Sequence, residues 1–160
     1  MTLLSRKADY ALLILSYLHR SPDGGNARVI AERFGLSRPF VANILKELGH
    51  KGFVTSHRGV KGGYALTRSS KDVTLAELLE SIEDGFKLTV CSSHGHDETD
   101  DPCDLEHTCP MKGPRADIHN RLMDVLQNVT LAELFAVPHR IQPLLSLLPH
   151  PNAIPLSTTA

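Results

Sequence analysis

The sequence predicts a mainly α-helical protein with a small β-hairpin wing: a winged helix-turn-helix domain followed by a long dimerisation helix. Three observations carry this expectation. Apolar residues recur at helical spacing in several separate segments. A tight turn, Gly35-Leu36-Ser37, joins two short helical segments. Two short strand candidates flank a glycine-rich, basic tip, directly after the second of those helices.

The first helix is expected over residues 5–20. Ser5 caps it, and Ala8, Ala11, Leu12, Leu15 and Leu18 form its apolar stripe. Ser21-Pro22-Asp23-Gly24-Gly25 is a turn cluster. Ala27 to Phe34 reads as a short helix ended by Gly35, since glycine accepts the left-handed backbone a helix terminus often needs. Ser37 opens the third helix, with Pro39 in the first turn, where a missing N–H costs little. Phe40, Val41, Ile44, Leu45 and Leu48 mark its expected buried stripe, and Gly49 and Gly52 close it.

Phe53 to Ser56 and Tyr64 to Thr67 are the strand candidates, with Arg58-Gly59-Val60-Lys61-Gly62-Gly63 as the tip. Val73 to Ile82 is the next helix. Its opening, Thr74-Leu75-Ala76-Glu77, predicts a capping box in which the glutamate reaches back to the threonine backbone. The letters TLAEL recur at Thr130–Leu134, a repeat too short for a solenoid. Arg115 to Val129 is a helix with Ile118, Leu122, Val125, Leu126 and Val129 on one face. That stripe needs a partner: a second copy of the chain is the simplest one, and the chain's own first helix is the alternative. The expected division is 1–72 for the winged domain, 73–137 for the connecting helix, cysteine loop and dimerisation helix, and 138–160 for a Pro-rich tail that frays.

Charge is strongly polarised. Residues 1–71 hold twelve Lys and Arg against four Asp and Glu, an excess of eight positive charges. The remainder holds five basic residues against fourteen acidic ones. A basic half facing a polyanion is the expectation. The exposed side of the third helix carries Arg38, Asn43 and Lys46, residue types that bond base edges in the major groove of double-stranded DNA. Arg58 and Lys61 suit a phosphate or a narrow minor groove, with Gly59, Gly62 and Gly63 allowing close backbone approach. Arg6 and Lys7 suit a flanking phosphate. The alternative is a winged helix used for protein contacts.

All three cysteines, Cys91, Cys103 and Cys109, fall in one acidic segment from about residue 88 to 114. Its length points to function or disorder. Buried structural cysteines usually lie on apolar faces, so these thiols are expected to do chemistry. An odd count argues against a secreted disulfide scaffold and for a reducing cytoplasm. The apolar N-terminus is broken by Lys7 and Asp9, as an amphipathic helix rather than a signal peptide would be, and no run suits a membrane. The wide cysteine gaps do not fit paired structural zinc ligands; they suit an iron–sulfur cluster with one position open to a weaker ligand. Zinc held with His94, His96 or His107, or thiol oxidation without metal, would use the same residues.

Taken together, "LLSRKADYALLILSYLH", "LSRPFVANILKELGHKGFV", "RGVKGGYALTR", "VTLAELLESIE" and three cysteines before "NRLMDVLQNVTLAEL" make the chain resemble the IscR/NsrR/RirA family of bacterial winged-helix regulators, over roughly residues 2–137. The resemblance implies a DNA-binding homodimer joined by the long helix after the loop. It also implies a 2Fe–2S or 4Fe–4S cluster near that helix and a DNA affinity set by cluster state. The chain departs from the family's usual spacing by extra length between Cys91 and Cys103. Lys112 stands where the IscR-like pattern has a histidine ligand. The NsrR-like pattern draws an aspartate from the partner's first helix, and Asp9 matches that position; His107 is the second choice for fourth ligand. No catalytic constellation is visible, so an enzyme is not expected. An adaptor for iron–sulfur assembly that never touches DNA is the rival from another class.

Overall fold

The computed structural model describes residues 4–57, 62–83, 86 and 108–136. In chain order these form α1 (Arg6–Arg20), α2 (Ala27–Phe34), α3 (Arg38–His50), β1 (Val54–His57), β2 (Gly63–Leu66), α4 (Leu75–Ile82), α5 (Lys112–Gln127) and α6 (Leu131–Phe135). The expected mainly helical architecture with one hairpin is observed. None of the described helices is long and apolar enough to cross a membrane.

Side-chain caps start α1 and α2, whereas Ser37, at the head of α3, makes no side-chain cap hydrogen bond. Ser5 Oγ accepts the Ala8 N–H at 3.2 Å, capping α1. Asn26 Oδ1 accepts the Val29 N–H at 2.9 Å at the head of α2. Gly35 ends α2 with φ of 65°, the left-handed region that disfavours a side chain. The chain therefore turns within two residues into α3, where Pro39 occupies the first turn.

The core runs continuously from α1 to α6. From α1 it takes Ala8, Ala11, Ile14, Leu15 and Leu18, with Ile14 in place of the expected Leu12, which is only half-buried. From α3 it takes Val41, Ile44, Leu45 and Leu48. Phe40 is not part of that stripe: it is 36% exposed. The quartet at i, i+3, i+4 and i+7 already fills the inward face, and Phe40 falls beside it.

β1 and β2 pair antiparallel, Val54 opposite Leu66 and His57 opposite Gly63. The turn before α2 adds a rung on the other edge of β2, with Gly25 N–H to Tyr64 O at 2.9 Å and Tyr64 N–H to Gly25 O at 2.8 Å. Gly63 is thus the first residue of β2 and not part of the tip. A Cβ there would lie 2.7 Å from Gly25 O, so its glycine is demanded by the α1–α2 turn closing on the hairpin.

The two TLAEL segments meet. Leu75 N–H donates to Val129 O at 2.8 Å and Leu131 N–H to Val73 O at 2.9 Å, an antiparallel bridge between Thr74 and Thr130. At α6 the capping box is complete: Thr130 N–H donates to Glu133 Oε2 at 2.8 Å and Glu133 N–H to Thr130 Oγ1 at 3.2 Å. At α4 only half of the expected box forms. Thr74 Oγ1 accepts the Glu77 N–H at 3.2 Å, but the Glu77 carboxylate pairs with the Arg68 guanidinium. A charged donor within reach outcompetes a neutral backbone N–H.

α5 divides its apolar residues between two directions. Met123 is buried, and Leu122 and Leu126 pack against the core. Ile118 points outward at 59% exposure. Val129 lies beyond the helix end, past the capping Asn128, and serves the Thr74–Thr130 bridge through its carbonyl. α6 then returns to α1. Arg20 Nη2 donates to Phe135 O at 3.3 Å, and Ser70 Oγ shares a 2.7 Å hydrogen bond with His19 Nδ1.

Candidate nucleic-acid interface and cysteine site

α3 presents two rows of side chains away from the core. Arg38, Ala42 and Lys46 follow one another at four-residue spacing along one flank, and Phe40, Asn43 and Glu47 form the opposite one. Arg38, Asn43 and Lys46 are all exposed. The second flank faces a groove between α1 and α3, lined by Arg6, Lys7, Tyr10, Phe40, Asn43 and Glu47. Arg6 is exposed there. Lys7 Nζ instead lies 3.1 Å from Glu47 Oε1, so the charge expected for a flanking phosphate is paired with a carboxylate of α3.

Phe40 was not singled out from the sequence as a surface residue. Its ring meets Tyr10 edge to face, with centroids 5.0 Å apart and planes at 87°. The available signal was that Val41, Ile44, Leu45 and Leu48 already complete an inward face without it.

Of the wing, Gly62 is half-buried just ahead of β2, while Arg58, Gly59 and Lys61 lie outside the described residues. Cys91, Cys103 and His107 also lie outside them, as do His94 and His96. Cys109 is described: its thiol is free and half-exposed, and its carbonyl accepts the Lys112 N–H at 3.2 Å where α5 begins. Asp9 is exposed in the first turn of α1, where an acid also favours the helix dipole. Among the described residues, no three His, Cys, Asp or Glu gather into a set able to hold a metal ion. The donor chemistry fits a cluster to this extent: an unbridged thiol stands accessible at the start of α5, and an exposed carboxylate stands on α1. One polar atom in the same half is orphaned. His119 Nδ1 on α5 is buried with no hydrogen-bond partner.

The family model for Rrf2, described as an iron-dependent transcriptional regulator, matches residues 4–137. This chain belongs to the Rrf2 family. Among Rrf2-type relatives, the transcriptional regulator NsrR of Halalkalibacterium halodurans is 27% identical over 148 residues, covering 91% of this chain and 99% of that protein. Protein aau3 of Rhizobium meliloti is 30% identical over 151 residues, covering 90% and 92% of the two chains. Solved structures share the fold. CymR, the global cysteine regulator of B. subtilis, superposes with a TM-score of 0.64 at 23% identity, covering 87% of this chain and all of that one. T. potens IscR does so with a TM-score of 0.59 at 24% identity, covering 82% and 84%. The chain is thus a DNA-binding transcriptional regulator of the Rrf2 family and not an enzyme.

Proposed function

We propose that this Rrf2 regulator binds its operator as a cytoplasmic homodimer and adjusts its grip through an iron–sulfur cluster held by Cys91, Cys103 and Cys109, with Asp9 of the second subunit as fourth ligand. The observation that carries the DNA reading is the outward face of α3. Arg38, Asn43 and Lys46 stand clear of the core on a helix fixed by Gly35 and Pro39. Arg38 offers a bidentate fork to guanine and Asn43 the matching pair to adenine, with Lys46 on the same face, while Arg6 and the wing residues Arg58 and Lys61 meet phosphates. The exposed Ile118, with Leu122 and Val125, forms the surface on which a second α5 docks.

When bound, the cluster supplies sensitivity to iron, oxidants or nitric oxide. The chain's own part is mechanical. Cys109 lies immediately before α5, and α5 leads through the Thr74–Thr130 bridge to α6, which packs against α1. A change in how the cysteine segment is held therefore reaches the helix that lies beside α3.

The test is anaerobic purification, with iron and sulfide measured per chain, followed by a mobility-shift titration. The expected outcome is a coloured protein whose specific binding weakens with salt and changes on cluster loss. Arg38→Ala should relax base preference. A colourless protein carrying zinc would end the cluster reading, and normal operator recognition by Arg38→Ala would end the assignment of the reading helix.

A further inference from the structure

We infer that Phe40 is a specificity-determining residue that contacts the C5-methyl group of a thymine, held in place for that task by Tyr10. The inference rests on the reading of α3 as the base-contacting helix. Phe40 shares a helix flank with Asn43, three residues later, and both line the open groove between α1 and α3. Phe40 packs on Tyr10 yet is left 36% exposed beside Asn43 and Glu47, so part of its ring is open to a ligand. The thymine methyl is the apolar group that the major-groove edge of a base pair offers such a ring.

Geometry agrees with that assignment. Three residues of helix advance about 4.5 Å along the axis, comparable to the ~3.4 Å axial rise from one base pair to the next. Asn43 on an adenine therefore sets Phe40 against a neighbouring base pair. The edge-to-face contact with Tyr10, centroids 5.0 Å apart, restricts the ring before DNA arrives. Tyr10 itself packs on the core. Little side-chain freedom is then left to lose on binding.

The experiment uses the full chain and a duplex recovered by in-vitro selection against it. Each thymine of that duplex is replaced singly by uracil, which lacks only the methyl group. With the parent protein, one position per half-site should lose about fourfold in affinity, the worth of one buried methyl. With Phe40→Ala that penalty should vanish, while Phe40→Leu, which keeps an apolar contact, should retain part of it. Tyr10→Ala should shrink the penalty. Specific binding with no uracil penalty, or with one that Phe40→Ala leaves intact, overturns the role of Phe40 while α3 stands as the reading helix. Failure of the parent to prefer the selected duplex over a scrambled one overturns the reading of α3 itself, and this inference with it. The parent's uracil scan needs no variant, so a poorly folding substitution does not shelter the proposal.

Discussion

The carboxylate of Glu83 accepts the backbone N–H of Ser5 at 3.1 Å, joining residues 78 positions apart. Glu83 caps the end of α4, where the chain departs toward the cysteines, and Ser5 caps the start of α1, which carries Arg6, Lys7 and Asp9. The segment that leads to the thiols is therefore tied by one charge-assisted bond to the helix end that borders the groove between α1 and α3. Ser5 is held at all three of its polar groups: its hydroxyl accepts the Ala8 N–H, its carbonyl accepts the Asp9 N–H and its own N–H donates to Glu83.

Glu83→Ala should destabilise the fold by about 1.5–3 kcal/mol, the range of hydrogen bonds to charged groups. Glu83→Gln, whose amide oxygen still accepts, should lose less. Urea denaturation followed by circular dichroism measures both. Equal losses would show that the bond to Ser5 is not what Glu83 contributes.

Glu47→Gln should tighten DNA binding. The Lys7–Glu47 pair is about one-third exposed on each side, so its loss costs only about 0–1 kcal/mol of stability. It frees a cation beside α3 and removes an anion from the same groove. Fluorescence anisotropy should show a rise in affinity and a salt dependence steeper by about one unit. Unchanged affinity would place Lys7 away from the phosphates.

Ile118→Glu should split the proposed dimer without harming the protomer. At 59% exposure the side chain contributes little to the fold, so stability should move by no more than about 0.5 kcal/mol. A buried pair of glutamates on facing helices would be costly. Light scattering should report a single-chain mass for the variant and twice that for the parent. Retention of the parent's mass would move the interface off this face of α5.

The Glu133 carboxylate, accepting from the Thr130 backbone and hydroxyl, is held below its ordinary pKa. A lowered folded-state pKa means stabilisation that is present above the ordinary value, about 4.3 for glutamate, and lost as pH falls through the folded one. Glu133→Ala should lower the melting temperature at neutral pH, and the gap to the parent should close in acid. A gap independent of pH would assign the effect to the helix alone.

The sequence by itself determined the local elements. Ser5, Asn26 and Thr130 cap helices because their short polar side chains reach backbone donors two or three residues on, a relation fixed by chain proximity. Gly35 ends α2 and the Val41–Leu48 stripe turns inward for equally local reasons. Tertiary structure decided what depends on residues far along the chain. Glu77 leaves its expected box because Arg68 is brought beside it, and Gly63 is a packing glycine because Gly25 closes on β2. Met123 rather than Ile118 faces the core of α5, and Lys7 is drawn to Glu47. Periodicity says that a helix has an apolar face; only the neighbouring elements settle which of its residues are covered, since burial is a property of the pair and not of either surface alone.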